Sequence, residues 1–447
     1  MSHFKKTDTL SKVSSNISWL ASDKVFEWIV TLFIGIWMAR YLGPDVLGQL
    51  NYALAFVALF IPLAELGMTT IVIRSVVESP EDSNEILGTS LVVYLMTGFI
   101  TGTLILYIIW FVRPAEGIIP WFVTLLTITI ILRSTDVFKW WNQSQVASKY
   151  TVWATRAGMV VAATFKVVLI LLNAPVAVII WAWLLQNLVG AFLLVFLYQR
   201  NFGSIFNFRF HLSCARHLLT NSWPLIFTGI ASIIYLKIDK IMLGDLASSY
   251  DVGIYSAASR ISELWYFLPT VVIGSLFPSI IRSKKLDEAT YYQRIQALFD
   301  SMALYGIGVA VVITLGAPYI IDLLYGDKFA AAAPILRVHT WALIFVATGV
   351  VRNRWFIAEN TTGFIMVATI IGTIINVSMN MILIPLYGGL GAAWATVVSY
   401  GVSTYISCGL WRPMWSAFGM LSKSYIIPLR LRSLYDTASD ILESRIK

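Results

Sequence analysis

About twelve hydrophobic stretches, each long enough to cross a bilayer and joined by short connections, constrain this chain more than any motif. They fall at approximately 16–41, 48–73, 85–111, 117–139, 150–172, 175–198, 219–244, 253–280, 294–323, 331–357, 363–386 and 389–411. A spanning helix uses about 20 apolar residues, so little of the chain is left for a water-facing domain. The composition agrees. Hydrophobic residues make up 58% and charged residues 13%, against about 25% charged in soluble domains, which excludes an ordinary water-soluble enzyme. A mean hydropathy of +0.76 with 17 Trp, 20 Tyr and 25 Phe fits a helical membrane protein with interfacial aromatic belts. The expected fold is all-α and polytopic, with twelve transmembrane helices in two six-helix bundles.

An even number of spans puts both ends of the chain on one side, and the basic residues say which. The N-terminal segment, the even-numbered connections and the C-terminal tail carry twenty-two Lys and Arg, among them Lys5, Lys12, Arg200, Arg352 and Arg432. The opposite side carries four: Arg40, Arg113, Lys328 and Arg337. Both termini are therefore expected in the cytoplasm. This distribution, rather than nucleic-acid binding, accounts for the net charge of +8. The apolar stretch after Lys12 is interrupted by Lys24 and Glu27 and lacks a small-residue cleavage site, so it is expected to remain as the first span.

The longest internal connection, about 199–218, divides the chain. The expected organisation is a first bundle over 1–200, a cytoplasmic linker over 201–218, a second bundle over 219–412 and a basic cytoplasmic tail over 413–447. A weak internal echo supports two halves. Leu42-Gly43 followed by Asp45-Val46-Leu47-Gly48 matches Leu243-Gly244 followed by Asp251-Val252-Gly253. Paired halves of this kind are common in secondary transporters.

Several chemistries are not encoded. There is no G-x-x-x-x-G-K-[ST] loop and no H-E-x-x-H. His3, His211, His217 and His339 are scattered, and Cys214 and Cys408 have no metal-ligand spacing, so neither a metal site nor a cofactor is expected. What remains is charge at membrane depth. The spans hold the cations Lys24, Arg156, Lys166, Lys237, Lys240 and Arg260 and the acids Asp23, Glu27, Glu65, Asp239 and Glu263. At roughly 2.5–3.5 kcal/mol each, eleven lipid-facing charges would cost about 30 kcal/mol, more than the ~5–15 kcal/mol by which proteins are usually stable. Most must pair, snorkel to an interface or face water. An Asp239–Arg260 pair across antiparallel helices is expected from their similar distance to the turn near 244–253. Lys166 has no acid in its own helix and asks for an anion. Glu65, close to Pro62 and Gly67, is a deep acid in a breakable helix, suited to pairing with Lys24 or Lys166 or to carrying an ion.

The runs Asn16-Ile17-Ser18-Trp19, Gly35-Ile36-Trp37-Met38-Ala39-Arg40-Tyr41-Leu42-Gly43-Pro44 and Gly48-Gln49-Leu50-Asn51-Tyr52-Ala53 resemble polysaccharide flippases of the Wzx type, in the multidrug/oligosaccharidyl-lipid/polysaccharide exporter superfamily. In the second half, Ile238-Asp239-Lys240-Ile241-Met242-Leu243-Gly244, Val252-Gly253-Ile254-Tyr255-Ser256-Ala257-Ala258-Ser259-Arg260-Ile261 and Gly388-Gly389-Leu390-Gly391-Ala392-Ala393-Trp394-Ala395-Thr396 agree. The resemblance implies two bundles around a central cavity that alternates between faces. It also implies transfer of an undecaprenyl-diphosphate-linked oligosaccharide, such as an O-antigen unit, across the bacterial inner membrane. Lys24, Arg156, Lys166 and Arg260 are then expected at the anion, Trp28 and Tyr52 beneath sugar rings, and Glu65 and Asp239 in coupling to H⁺ or Na⁺. The partners so implied are membrane lipid, a polysaccharide polymerase and a chain-length regulator. Competing readings are an ion-coupled small-molecule exporter of the same superfamily, a membrane polymerase or ligase, and a scaffold subunit. The short connections argue against an enzyme, and the excess of cations argues against a carrier of cationic drugs.

Overall fold

The computed structural model describes residues 2–113, 117–284 and 287–427, with side chains from residue 30 onward except at 278, 279, 282 and 283. Every regular element among the described residues is helical. In a bilayer this is a necessity for a chain without a closed barrel, because only helices satisfy their own backbone N–H and C=O groups. Eight segments of the described residues are long and apolar enough to cross a membrane. Two of them, Val30–Glu78 and Thr362–Leu410, run for 49 residues, more than twice the bilayer requirement. Each is interrupted at a glycine with positive φ, Gly43 at 75° and Gly388 at 54°. The helix Leu212–Leu246 carries Lys237, Asp239 and Lys240 within one turn and is not among the eight. Large apolar side chains point outward, with Ile100 68%, Leu315 74% and Leu323 74% exposed, as in a protein solvated by lipid. The chain is a multi-pass membrane protein.

The chain forms two compact units. The first holds the residues up to Leu42 together with Gln49–Lys237; the second holds Gly43–Gly48 and the chain from Ile238 onward. The division falls inside the helix Leu212–Leu246. The connection near 201–211 is packed within the first unit: Arg209 N–H donates to Asn84 O at 3.3 Å and His211 N–H to Thr89 Oγ1 at 3.1 Å.

In the first unit, helices Ser148–Leu171 and Trp181–Asn201 pack closely, and Phe138, Tyr198, Phe202 and Phe208 form a ladder of ring contacts at one end. The expected weak point near Pro62 is real: Leu66 (φ 52°) and Gly67 (φ 66°) are both left-handed, separating helix Ile61–Glu65 from Met68–Glu78. The carbonyl freed at Ala64 is met by Thr97 Oγ1 at 2.6 Å.

The second unit has an aromatic core that includes Phe277, Tyr291, Phe299, Trp355 and Phe356. Arg352, counted above among the loop cations, is instead 3% exposed within it. Its guanidinium donates to the carbonyls of Ser403 and Thr404, in a π-helical stretch Val402–Ile406 whose widened turn leaves carbonyls available. The second unit also accepts the segment 43–48 through backbone contact. A Cβ on Gly48 would lie 1.7 Å from Ser249 O, and one on Gly253 would lie 1.9 Å from Pro44 O. The contact is reciprocal, each glycine meeting the residue four before the other, and it joins the two glycines that the sequence echo aligns.

At the end of the span Ala332–Ala358, Glu359 accepts hydrogen bonds from Lys284 Nζ at 2.7 Å and from Tyr291 OH at 2.8 Å. Burial opposes ionisation of Glu359, but these donors outweigh it and hold its pKa below the ordinary value. The hydrogen bond to Glu359 in turn raises the Lys284 pKa. A depressed carboxylate contributes stability above its unfolded pKa, about 4.3, and loses it as the pH falls through the folded value. Glu359→Gln is therefore expected to flatten the acid limb of a melting-temperature profile below about pH 4. Its effect at pH 7 should stay under about 1 kcal/mol, because the pair is partly solvated. An acid limb identical to the parent's would refute this account.

Candidate functional site

A buried polar cluster around a charged group lies in the second unit, at Asp239. Three helices build it. Asp239 comes from Leu212–Leu246, Tyr255 from Ser249–Glu263, and Asn376, Asn380 and Thr396 from Thr362–Gly401. The last is a hairpin. Its tip is Gly388, and Asn376 on one limb faces Ser399 on the other at 3.5 Å. Gly388 adopts φ 54° and ψ −133°, a conformation that a side chain disfavours, and it lies against Asp251, where a Cβ would sit 2.9 Å from the carboxylate. The tip therefore sets which residues of the two limbs meet.

Asp239 is 6% exposed. Its Oδ2 accepts from Tyr255 OH and Thr396 Oγ1, both at 2.8 Å, and its Oδ1 accepts from Asn380 Nδ2 at 2.6 Å. Asn380 Nδ2 also reaches Asn376 Oδ1 at 3.1 Å. These donors are neutral. Thr396 has a second acceptor in Ala392 O at 2.9 Å, so its one proton can leave the carboxylate. Asn380 Oδ1 is buried without a hydrogen-bond partner among the described residues. Rotating that amide would set its oxygen against the Asp239 carboxylate, an arrangement stabilised when a cation or proton lies between them. Behind the cluster, His339 is 2% exposed, with Nδ1 3.0 Å from Ser262 Oγ and its ring edge-on to Tyr255 at 5.7 Å.

The expected Asp239–Arg260 pair is not formed; the carboxylate takes the Tyr255, Thr396 and Asn380 donors instead. The reason is the turn. The first helix continues to Leu246 and the next starts at Ser249, so the connection is shorter than 244–253 and the residue level with Asp239 is Tyr255. Arg260 lies five residues further, about 7.5 Å along the helix. There it is within electrostatic reach of Tyr325.

The other expected site residues occupy separate places. Lys24 and Trp28 lie outside the residues whose side chains are described. In the first unit, Lys166 Nζ sits 3.7 Å above the Trp183 ring, a cation–π contact that shelters part of the charge. Arg156 runs along its own helix to Met159 Sδ at 3.1 Å. Tyr52 is 2% exposed and has the Arg113 guanidinium 4.5 Å from its ring centre, so that face is occupied in this conformation. Glu65 accepts a hydrogen bond from Thr69 and is within electrostatic reach of Arg133, not set against Lys166. The residues missed at the sequence level are Asn376 and Asn380. Their signal was present, as two amides one helical turn apart in an otherwise apolar span, but attention to formal charge passed over them.

The model of the family described as polysaccharide biosynthesis protein matches residues 13–284, more than half of the chain. The chain belongs to this family. Two curated relatives, both from Haloferax volcanii, are similar to parts of the chain. The probable low-salt glycan biosynthesis flippase Agl15 is 26% identical over 194 residues, covering 43% of this chain and 41% of that protein. The probable flippase AglR is 30% identical over 189 residues, covering 39% and 37%. The matched stretches thus span about two fifths of these relatives' lengths. Among solved structures, the lipid II flippase MurJ in an inward closed conformation aligns with 96% of this chain and 100% of its own, at a TM-score of 0.73 and 12% identity. An inward-facing multidrug resistance MATE family transporter of the MOP superfamily aligns with 91% and 95%, at a TM-score of 0.63 and 15% identity. These two likenesses establish the fold of the chain.

Proposed function

We propose that this family member is a flippase that carries a polyprenyl-phosphate-linked oligosaccharide between membrane leaflets by alternating access. The observation that carries the reading is the similarity of the chain to proteins described as glycan flippases, within a polysaccharide biosynthesis family. The fold shared with MurJ supports it. The lipid tail can stay in hydrocarbon throughout. The phosphate and hydrated sugar cannot, because an ion in a medium of low dielectric constant lacks the solvation that water provides. Cations at membrane depth would supply that compensation, and Lys24, Arg156, Lys166 and Arg260 are the residues assigned to it. Undecaprenyl diphosphate carrying an O-antigen-type unit is the expected cargo in a bacterial inner membrane, with both termini cytoplasmic and a polymerase and chain-length regulator acting after transfer.

The Asp239 cluster is assigned to ion coupling. A single carboxylate surrounded by hydroxyl and amide oxygens suits one proton or one Na⁺ better than a divalent ion, whose second charge would be uncompensated. Occupancy would replace the hydrogen bonds from Thr396 and Asn380 with contacts to their oxygens and so change how the hairpin limbs hold the Asp239 helix. Glu65, beside the broken turn at Leu66–Gly67, is the second candidate carrier.

Transfer of a fluorescent polyprenyl-diphosphate glycan in proteoliposomes, read by quenching of the label on the outer leaflet, tests the function. Export of a small cationic dye without glycan transfer would favour the drug-exporter reading. Within the same assay, Lys166→Gln is expected to slow transfer about tenfold, since a charge-assisted contact is worth ~1.5–3 kcal/mol. Lys166→Arg should retain most of the rate. Equal rates for both variants and the parent would remove Lys166 from the anion path.

A further inference from the structure

An open groove in the second unit, of about 600 Å³, is lined by Tyr405, Ile406, Gly409, Leu410, Trp415 and Phe418. That is within the ~300–1,000 Å³ typical of ligand sites. One wall is the chain that leaves the π-helical stretch Val402–Ile406; the other is the start of the helix Trp415–Tyr425. The polar atoms of the walls are turned to the protein. Tyr405 OH pairs with Ser422 Oγ at 3.0 Å, and the Trp415 indole N–H donates to Gly409 O at 3.0 Å. Tyr405 and Phe418 stack at 4.7 Å, with Gly409 leaving room for the Phe418 ring. What the groove presents is hydrocarbon, continuous with the outward-facing side chains of Ile406 (48% exposed) and Leu410 (75% exposed).

Arg412 stands beside Trp415 of the groove wall. Its guanidinium lies 5.9 Å from the Trp415 ring centre, is exposed, and has no hydrogen bond or ion pair with any described residue. Trp411 and Trp415, both about half exposed, flank it, as aromatic residues do at the level of lipid headgroups. A cation with open donor positions, set beside a mainly apolar channel whose tyrosine and tryptophan polar atoms are turned to the protein, matches a molecule that is anionic at one end and hydrocarbon at the other. We propose that the groove binds an anionic phospholipid, with an acyl chain between the Tyr405–Phe418 wall and Leu410 and its phosphate at Arg412.

A photo-crosslinking amino acid at Leu410, in nanodiscs of equal phosphatidylglycerol and phosphatidylcholine, tests this, with adducts identified by mass spectrometry. The expected result is about fivefold preferential capture of phosphatidylglycerol, the factor that one interfacial Arg supplies. Arg412→Gln should bring the ratio close to one and Arg412→Lys should keep it. Arg412 is exposed and bonds to no described residue, so neither substitution threatens the fold. The same crosslinker at Leu315, another lipid-facing position, should show no preference. Equal capture of the two lipids at Leu410, an equal preference at Leu315, or adducts to residues 428–447 or to another polypeptide would each overturn the proposal.

Discussion

Asp239→Asn is expected to abolish the response of glycan transfer to an imposed ion gradient while leaving the protein folded. The substitution keeps the shape of the side chain and removes its charge. Loss of a charged contact worth ~1.5–3 kcal/mol lowers ion affinity at least tenfold. Stability should change little or rise, because the carboxylate sits among three neutral donors and desolvation of an ion in such a place is costly. Thr396→Val and Asn380→Ala should weaken the response less, since each removes one oxygen and leaves the charge. The measurement is the initial rate of transfer in proteoliposomes under opposed Na⁺ and H⁺ gradients, beside a thermal melt of each variant. An Asp239→Asn protein that responds to either gradient as the parent does would show that the cluster is structural.

Gly48→Ala and Gly253→Ala are expected to be among the most destabilising alanine substitutions in the chain. The added methyl group would meet backbone, not a side chain that can rotate away, at 1.7 and 1.9 Å. Separating the two segments to normal contact costs about 1–3 kcal/mol, the usual range for overpacking, or more. The double variant should be less damaging than the sum of the two, because the first substitution already opens the gap that the second needs. Melting temperatures of the four proteins in one detergent form the cycle. Strict additivity would mean that the two glycines do not share a contact.

Much of the fold was legible because hydrophobic length is a local property. A run of about 20 apolar residues reads as a span wherever it occurs, and the turns at Gly43 and Gly388 could be placed from the glycine and proline beside them. The charges were legible only as an inventory. Lys166 was recognised as lacking an acid in its own helix, but its contact with an aromatic ring, that of Trp183 on a different helix, was not. The Asp239–Arg260 pairing failed on the length of the turn, which places Arg260 five residues, more than one helical turn, beyond the level of Asp239.

Asn376 and Asn380 show the same limit from the other side. Alone they are two polar residues in an apolar helix, and nothing local separates a hydrogen bond to a neighbouring helix from a ligand role. Their meaning depends on Asp239, more than 130 positions earlier, and on a hairpin tip that brings Thr396 to the same carboxylate.

The residue pattern was sufficient to set the all-helical membrane class and to mark the buried charges, because a bilayer penalises every unpaired backbone group and every isolated ion, whatever the topology. Which donor meets which charge was set by helix contacts across the folded chain. That selection depends on helix phase and depth to within one turn, and no local run of residues carries that information.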